Sequence, residues 1–151
     1  MKLGHVCETA VVTTFAETSL ADATAEMRRR QVGALVVVEE RQGATWPVGI
    51  VTDRDIAVAL TTHTSGEMTR VGEVMSRNLI VASDHDDFFE GLTKMRRFGV
   101  RRLPIITLDG RLRGIITLDD IVDVLSAKLR EAAAVVPRER RVEARLIAAS
   151  R

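Results

Sequence analysis

Along this chain, short runs of β-branched and aliphatic residues give way to stretches in which apolar side chains recur every three or four positions, and the whole alternation happens twice. Residues 10–13 are the first such run and predict a short strand. Thr18 or Ser19 then caps a predicted helix whose Leu20, Ala23 and Met27 share a face, with Arg28, Arg29 and Arg30 at the end where positive charge suits the helix dipole. Two continuous apolar runs, 34–38 and 48–51, predict adjacent strands separated by a mostly polar loop over 39–47. A second helix is predicted from near Thr52 through Ile56, Val58 and Leu60, and the polar stretch 61–70, with Gly66, predicts a connection. The plan then restarts. Residues 79–81 predict a short strand, and the acidic stretch 84–87 opens a helix with Phe88, Leu92 and Met95 on one face. Residues 103–106 and 112–117 predict a strand pair around a tight Asp109-Gly110 turn, and a last helix runs from about Thr117 to about Ala134 before Pro137 interrupts it.

The restart is a repeat. Residues 3–38 and 71–106 align without a gap at an offset of 68. Each copy then closes on a glycine, two aliphatics, a threonine and an aspartate. These stretches are Gly49-Ile50-Val51-Thr52-Asp53-Arg54-Asp55-Ile56 and Gly114-Ile115-Ile116-Thr117-Leu118-Asp119-Asp120-Ile121, at an offset of 65 because the first copy has three more loop residues. Only two copies of so long a unit predict pseudo-twofold pairing around a shared core, since an open solenoid needs at least three. The expected architecture is α/β, two β-α-β-β-α repeats over 1–65 and 66–128 packed sheet to sheet, followed by a basic helical or flexible tail over 129–151.

Composition narrows what such a unit can do. With 22 basic and 21 acidic side chains the net charge is +1, so no global field draws in nucleic acid or an anionic membrane, and any anion site must be local. Aromatics make up 3% of the residues, with no tyrosine, which supplies no platform for stacking bases. Cys7 is the only cysteine, so an intramolecular disulfide is impossible, and it reads as a small buried hydrophobe. The start lacks a secretory pattern and no run approaches the roughly 20 apolar residues of a membrane span, so a cytoplasmic location is expected. His5, Cys7, His63 and His85 lack the paired spacing of a zinc site, and no arrangement of nucleophile, base and orienting group stands out. No metal and no catalysis are expected.

The repeated Thr-x-x-Asp, directly after a strand and before a helix, is a capping-box pattern on its own terms. Its duplication at one place in both copies adds a second meaning. A helix N-terminus offers unpaired amide N–H groups to an anion, and an aspartate there can accept hydrogen bonds from neighbouring ribose hydroxyls.

On these residues the chain resembles a tandem pair of cystathionine β-synthase (CBS) domains, over roughly residues 1–128. The resemblance is carried by the two Gly-aliphatic-aliphatic-Thr-x-x-Asp-Ile stretches and by the matching segments Val32-Gly33-Ala34-Leu35-Val36-Val37 and Val100-Arg101-Arg102-Leu103-Pro104-Ile105. It implies a regulatory module that binds adenosine-containing ligands in two clefts. One would use Thr52 and Asp55 with Ile80, Val100 and Arg101, the other Thr117 and Asp120 with Val12, Val32 and Gly33. The implied ligand is AMP, ADP, ATP or S-adenosylmethionine, with no required cofactor. Asp55 and Asp120 would hold ribose hydroxyls, the threonines would assist at the sugar or phosphate, and the strand aliphatics would sandwich adenine. Arg54 beside Asp55 has Asp119 as its equivalent in the second copy, so the Asp55 cleft is expected to favour a phosphorylated ligand. The resemblance also implies a homodimer, with an unidentified protein partner. The alternative is an assembly module whose clefts are vestigial. The tail, with Arg138, Arg140, Arg141 and Arg145, could pack across a dimer through Val142, Leu146 and Ile147, or touch nucleic acid or an acidic partner.

Overall fold

The computed structural model describes residues 1–62 and 69–135; the tail beyond residue 135, and the readings made of it, lie outside the described residues. The chain divides into two compact units, Met1–Ile116 and a second that starts at Thr117.

In the first unit, Ser19 caps helix α1 (Leu20–Arg30) by accepting from the Asp22 N–H, and Leu20, Ala23 and Met27 are its buried face. Strands β1 (Thr13–Thr14), β2 (Ala34–Arg41) and β3 (Ala44–Thr52) form one sheet in that order, β1 parallel to β2 and β2 antiparallel to β3. Helix α2 (Asp53–Thr62) follows. A one-turn helix, α3 (Val71–Val74), opens the second copy, in which β4 (Ala82–Ser83), helix α4 (Phe88–Phe98), β5 (Arg102–Ile106) and β6 (Leu112–Thr117) repeat the plan and form a second three-stranded sheet. The described residues of the second unit form helix α5 (Leu118–Ala133), with Ile121 buried and Val122 and Leu129 exposed.

The two copies are interlocked by matching backbone hydrogen bonds. Leu3 N–H donates to the Asp86 carbonyl and Gly4 N–H to that of Asp84, while 68 residues on, Val71 donates to Thr18 and Gly72 to Ala16. Glu8 and Ile115 exchange a pair of bonds at 2.9 and 2.9 Å, as Ser76 and Ile50 do at 2.9 and 3.1 Å. Each copy therefore lends its lead-in segment to the other. The apolar cluster of the first copy, built on Leu35, Val37, Val51 and Ile56, is completed by Val71 and Met75 of the second.

This exchange explains Gly49 and Gly114. A Cβ on Gly114 would lie 2.6 Å from Cys7 Sγ and 2.7 Å from the Glu8 carbonyl oxygen, and one on Gly49 would lie 2.8 Å from Met75 Sδ and 2.9 Å from the Ser76 carbonyl oxygen. The strands carry glycine there because a neighbouring backbone passes too close for any side chain.

Several local expectations need correction. The short strands are Thr13–Thr14 and Ala82–Ser83, not 10–13 and 79–81, because the chain first bridges the other copy's sheet at Glu8 and Ser76 and only later joins its own. Residues 39–47 are not a loop. β2 and β3 continue pairing to Arg41↔Ala44 and turn on Gln42 and Gly43 alone, both with positive φ (52° and 75°), as a two-residue hairpin turn requires. The extra residues of the first copy are absorbed there and in an irregularity between Val37 and Val38, which shifts the register past Pro47. Of the acidic stretch 84–87 only Asp87 caps α4; Asp86 accepts from the Ser83 N–H and from Lys94 Nζ. Cys7 is half-buried rather than buried, and its desolvation against Gly114 pushes the thiol pKa above its ordinary value despite the nearby Arg113.

Candidate functional site

Both Thr-x-x-Asp stretches fold into the same cap. Thr52 Oγ1 donates to Asp55 Oδ2 at 2.7 Å, the Thr52 N–H donates to the same oxygen at 2.8 Å, and the Asp55 N–H donates back to Thr52 Oγ1 at 3.2 Å. Thr117 and Asp120 reproduce the three distances, 2.7, 2.8 and 3.2 Å. The chemistry is a reciprocal capping box in which aspartate takes the usual place of glutamate. It occupies the threonine hydroxyl and one carboxylate oxygen. The other oxygen, Oδ1, accepts no hydrogen bond among the described residues in either aspartate, and both residues are only half-buried. Each helix thus starts with a fixed carboxylate that keeps one oxygen available to an incoming donor.

Around Asp55 the first unit has a recess of about 320 Å³, lined by Arg54, Asp55, Val58, Ala59, Thr62, Glu73 and Val74. Val58, Ala59 and Val74 give it apolar surface, and Thr62, one guanidinium and two carboxylates give it polar surface. Glu73 is engaged, since its Oε1 accepts from the Arg70 N–H. The Arg54 guanidinium has no ion-pair partner among the described residues. Sequence reasoning missed Glu73 and Val74, although their helix is the copy of the residues around Leu3 at the 68-residue offset.

Val32 and Gly33 line a different recess of about 410 Å³, with Thr24, Met27, Arg28, Gln31, Asp53 and Ile56. Gly33 is confined on two sides, as its Cβ would lie 3.2 Å from Asp53 Oδ2 and 3.3 Å from the Arg102 guanidinium of the other copy. Val12 packs against the first apolar cluster and its carbonyl accepts from the Val36 N–H at 3.2 Å. Ile80 and Val100 are half-buried, Arg101 is exposed, and none of the three lines either recess. Among the described residues no group of three or more His, Cys, Asp or Glu side chains could hold a metal ion, and no helix is long and apolar enough to cross a membrane.

The family model described as CBS domain matches residues 3–62 and 71–127. The chain belongs to the CBS domain family, as a pair of such domains. It is 34% identical over 113 residues to the CBS domain-containing protein YhcV of Bacillus subtilis, covering 75% of this chain and 77% of that one. It is also 28% identical over 125 residues to an uncharacterized protein of Methanopyrus kandleri; the match takes 82% of this chain but 62% of that relative, less than two thirds of its length. Among solved structures it resembles the CBS domain pair of protein MJ0100 in complex with 5-methylthioadenosine and S-adenosyl-L-methionine, with a TM-score of 0.74, 24% identity and coverage of 85% and 98% of the two chains. It likewise resembles CBSX2 of Arabidopsis thaliana in complex with AMP, with a TM-score of 0.70, 25% identity and coverage of 84% and 98%.

Proposed function

We propose that this chain is a non-catalytic regulatory module that binds an adenosine-containing nucleotide at its Thr-Asp helix caps and passes the occupancy to a protein partner. The observation that carries this is the duplicated cap with its spare carboxylate oxygen. Two copies hold the same atoms to the same distances while leaving the same acceptor uncommitted, which the capping of a helix alone does not require. AMP bound to CBSX2 supports the ligand class. At the Asp55 cap, Arg54 is placed to receive phosphate oxygens, whereas Asp119, its counterpart beside Asp120, would repel them. Ile80, Val100 and Arg101 for the first cap remain part of this reading, as do Val12, Val32 and Gly33 for the second, and AMP, ADP, ATP and S-adenosylmethionine are the candidates.

Thermal shift with those four ligands tests the proposal on wild type, Asp55→Asn and Asp120→Asn, where asparagine keeps a capping oxygen but loses the charge. A ligand at about 100 times its dissociation constant adds about 2.7 kcal/mol to stability, and the substitutions should erase it site by site. No shift with any ligand would leave the second reading, an assembly module. That reading rests on Val58 and Leu60, which are 55% and 72% exposed on α2 and fit a homodimer contact.

A further inference from the structure

A third recess, of about 250 Å³, lies on the seam between the two copies, lined by Thr9, Val11, Thr13, Thr45, Leu112 and Arg113, and it shares no residue with the Asp55 recess or the Val32–Gly33 recess. The Glu8–Ile115 exchange brings the segment that follows Glu8 beside Leu112 and Arg113, and β3 contributes Thr45. Three hydroxyls and one guanidinium thus meet around two aliphatic side chains. Among the described residues neither those hydroxyls nor the Arg113 guanidinium has a hydrogen-bond or ion-pair partner. Of the charged residues nearby, Arg111 pairs with Asp109 at 2.6 Å, Arg41 with Glu39, and the Glu8 carboxylate accepts from the Ala10 N–H at 2.7 Å, while Glu40, directly cross-strand from Thr45, has no ion-pair partner among the described residues. No carboxylate lines the recess.

The pseudo-symmetry supplies a control. Shifting by 68 or 65 residues replaces Thr9, Val11, Thr13 and Arg113 with Arg77, Leu79, Val81 and Val48, and Arg77 is already bound to the Gly72 carbonyl at 2.9 Å. The hydroxyl-and-guanidinium cup is therefore particular to one side of the molecule and is not a consequence of the duplicated backbone.

The geometry points to a binding site for a small phosphate-type oxyanion in the Thr9–Thr13–Thr45–Arg113 recess, separate from the nucleotide caps. Arginine matches a tetrahedral oxyanion with paired N–H donors, and threonine hydroxyls rotate to donate to its remaining oxygens. The volume falls below the roughly 300–1,000 Å³ of sites for larger ligands, which selects inorganic phosphate or a phosphate monoester with a short organic group over a whole nucleotide.

Amide NMR of the full chain, titrated with inorganic phosphate and separately with glycerol phosphate against chloride at matched ionic strength, tests this. The amides of residues 9–13, 45 and 112–113 should shift with saturation, and whichever anion binds tighter identifies the source. Arg113→Gln and Thr45→Val, both at accessible positions, should each weaken binding about tenfold or more while leaving AMP-induced thermal shifts unchanged. Shifts that chloride reproduces, or phosphate affinity indifferent to both substitutions, would overturn the site without touching the nucleotide proposal.

Discussion

The first and second copies share a backbone plan yet solve the same local problems with different residues. Helix α1 ends on Gln31, held in the left-handed region at φ 55°, whereas α4 ends on Gly99 at φ 65°, the residue that adopts this conformation without a Cβ penalty. The start of α1 rests on Ser19 and that of α4 on a full box between Asp87 and Glu90. The first hairpin is long and turns on two residues; the second is short, with Gly110 at φ 85° against the ring of Trp46. What neither copy varies is the close-approach glycine and the Thr-Asp cap. Invariance within one molecule marks the features the shared geometry demands, and divergence marks those that local chemistry can supply in several ways.

The largest effect should come from breaking the exchange itself. Gly114→Ala drives a methyl into the Glu8 carbonyl and Cys7 sulfur, and overpacking of this kind costs about 3 kcal/mol. Gly49→Ala should cost somewhat less, because one of its two close neighbours is the flexible Met75 side chain. Denaturant unfolding of both variants measures the difference; equal and negligible losses would mean that the lead-in segments are not held as described.

Next come the caps. Asp87→Ala removes the bond to the Phe89 N–H and the ion pair with the chain's amino group, and Ser19→Ala removes the two bonds its hydroxyl makes with Asp22, so losses of about 1 kcal/mol are expected, the greater for Asp87 because an ion pair goes with its cap. The left-handed caps give a reciprocal pair. Gln31→Gly should stabilise by about 0.5–1 kcal/mol and Gly99→Gln destabilise by a similar amount, because nothing lies within 4 Å of a Cβ at Gly99 and only backbone conformation changes.

The smallest effect is electrostatic. Burial alone would raise the Asp86 pKa, but hydrogen bonds from Lys94 and the Ser83 N–H outweigh it and hold the carboxyl below its ordinary value. A depressed folded-state pKa adds stability above the unfolded value, about pH 3.9, that is lost as pH falls through the folded one. Lys94→Met should therefore reduce stability near neutrality by a few tenths of a kcal/mol, and the deficit should shrink as acid protonates the carboxyl in both states, read from urea midpoints across pH.

The duplication, the helices and the cap residues were legible in the sequence because each leaves a periodic or positional mark. Leu20, Ala23 and Met27 at helical spacing became the buried face of α1, and Thr117 with Asp120 became a capping box. The exchanged lead-in segments were not legible. A one-turn helix such as Val71–Val74 has no period to detect, and its partner lies across the chain. The first hairpin was hidden for a different reason: Glu39, Glu40 and Arg41 are exposed strand residues whose polarity reads as loop. Nor did the strand pattern announce a separate recess, since Thr9, Thr13 and Thr45 are scattered in sequence and meet only through the exchange.

Calorimetric titration of AMP into wild type, Asp55→Asn, Arg54→Ala and Asp119→Ala tests the central claim, that the duplicated cap is a ligand handle. The account predicts measurable binding that falls at least tenfold in Asp55→Asn, weakens in Arg54→Ala and does not weaken in Asp119→Ala. Binding that ignores all three substitutions would contradict it.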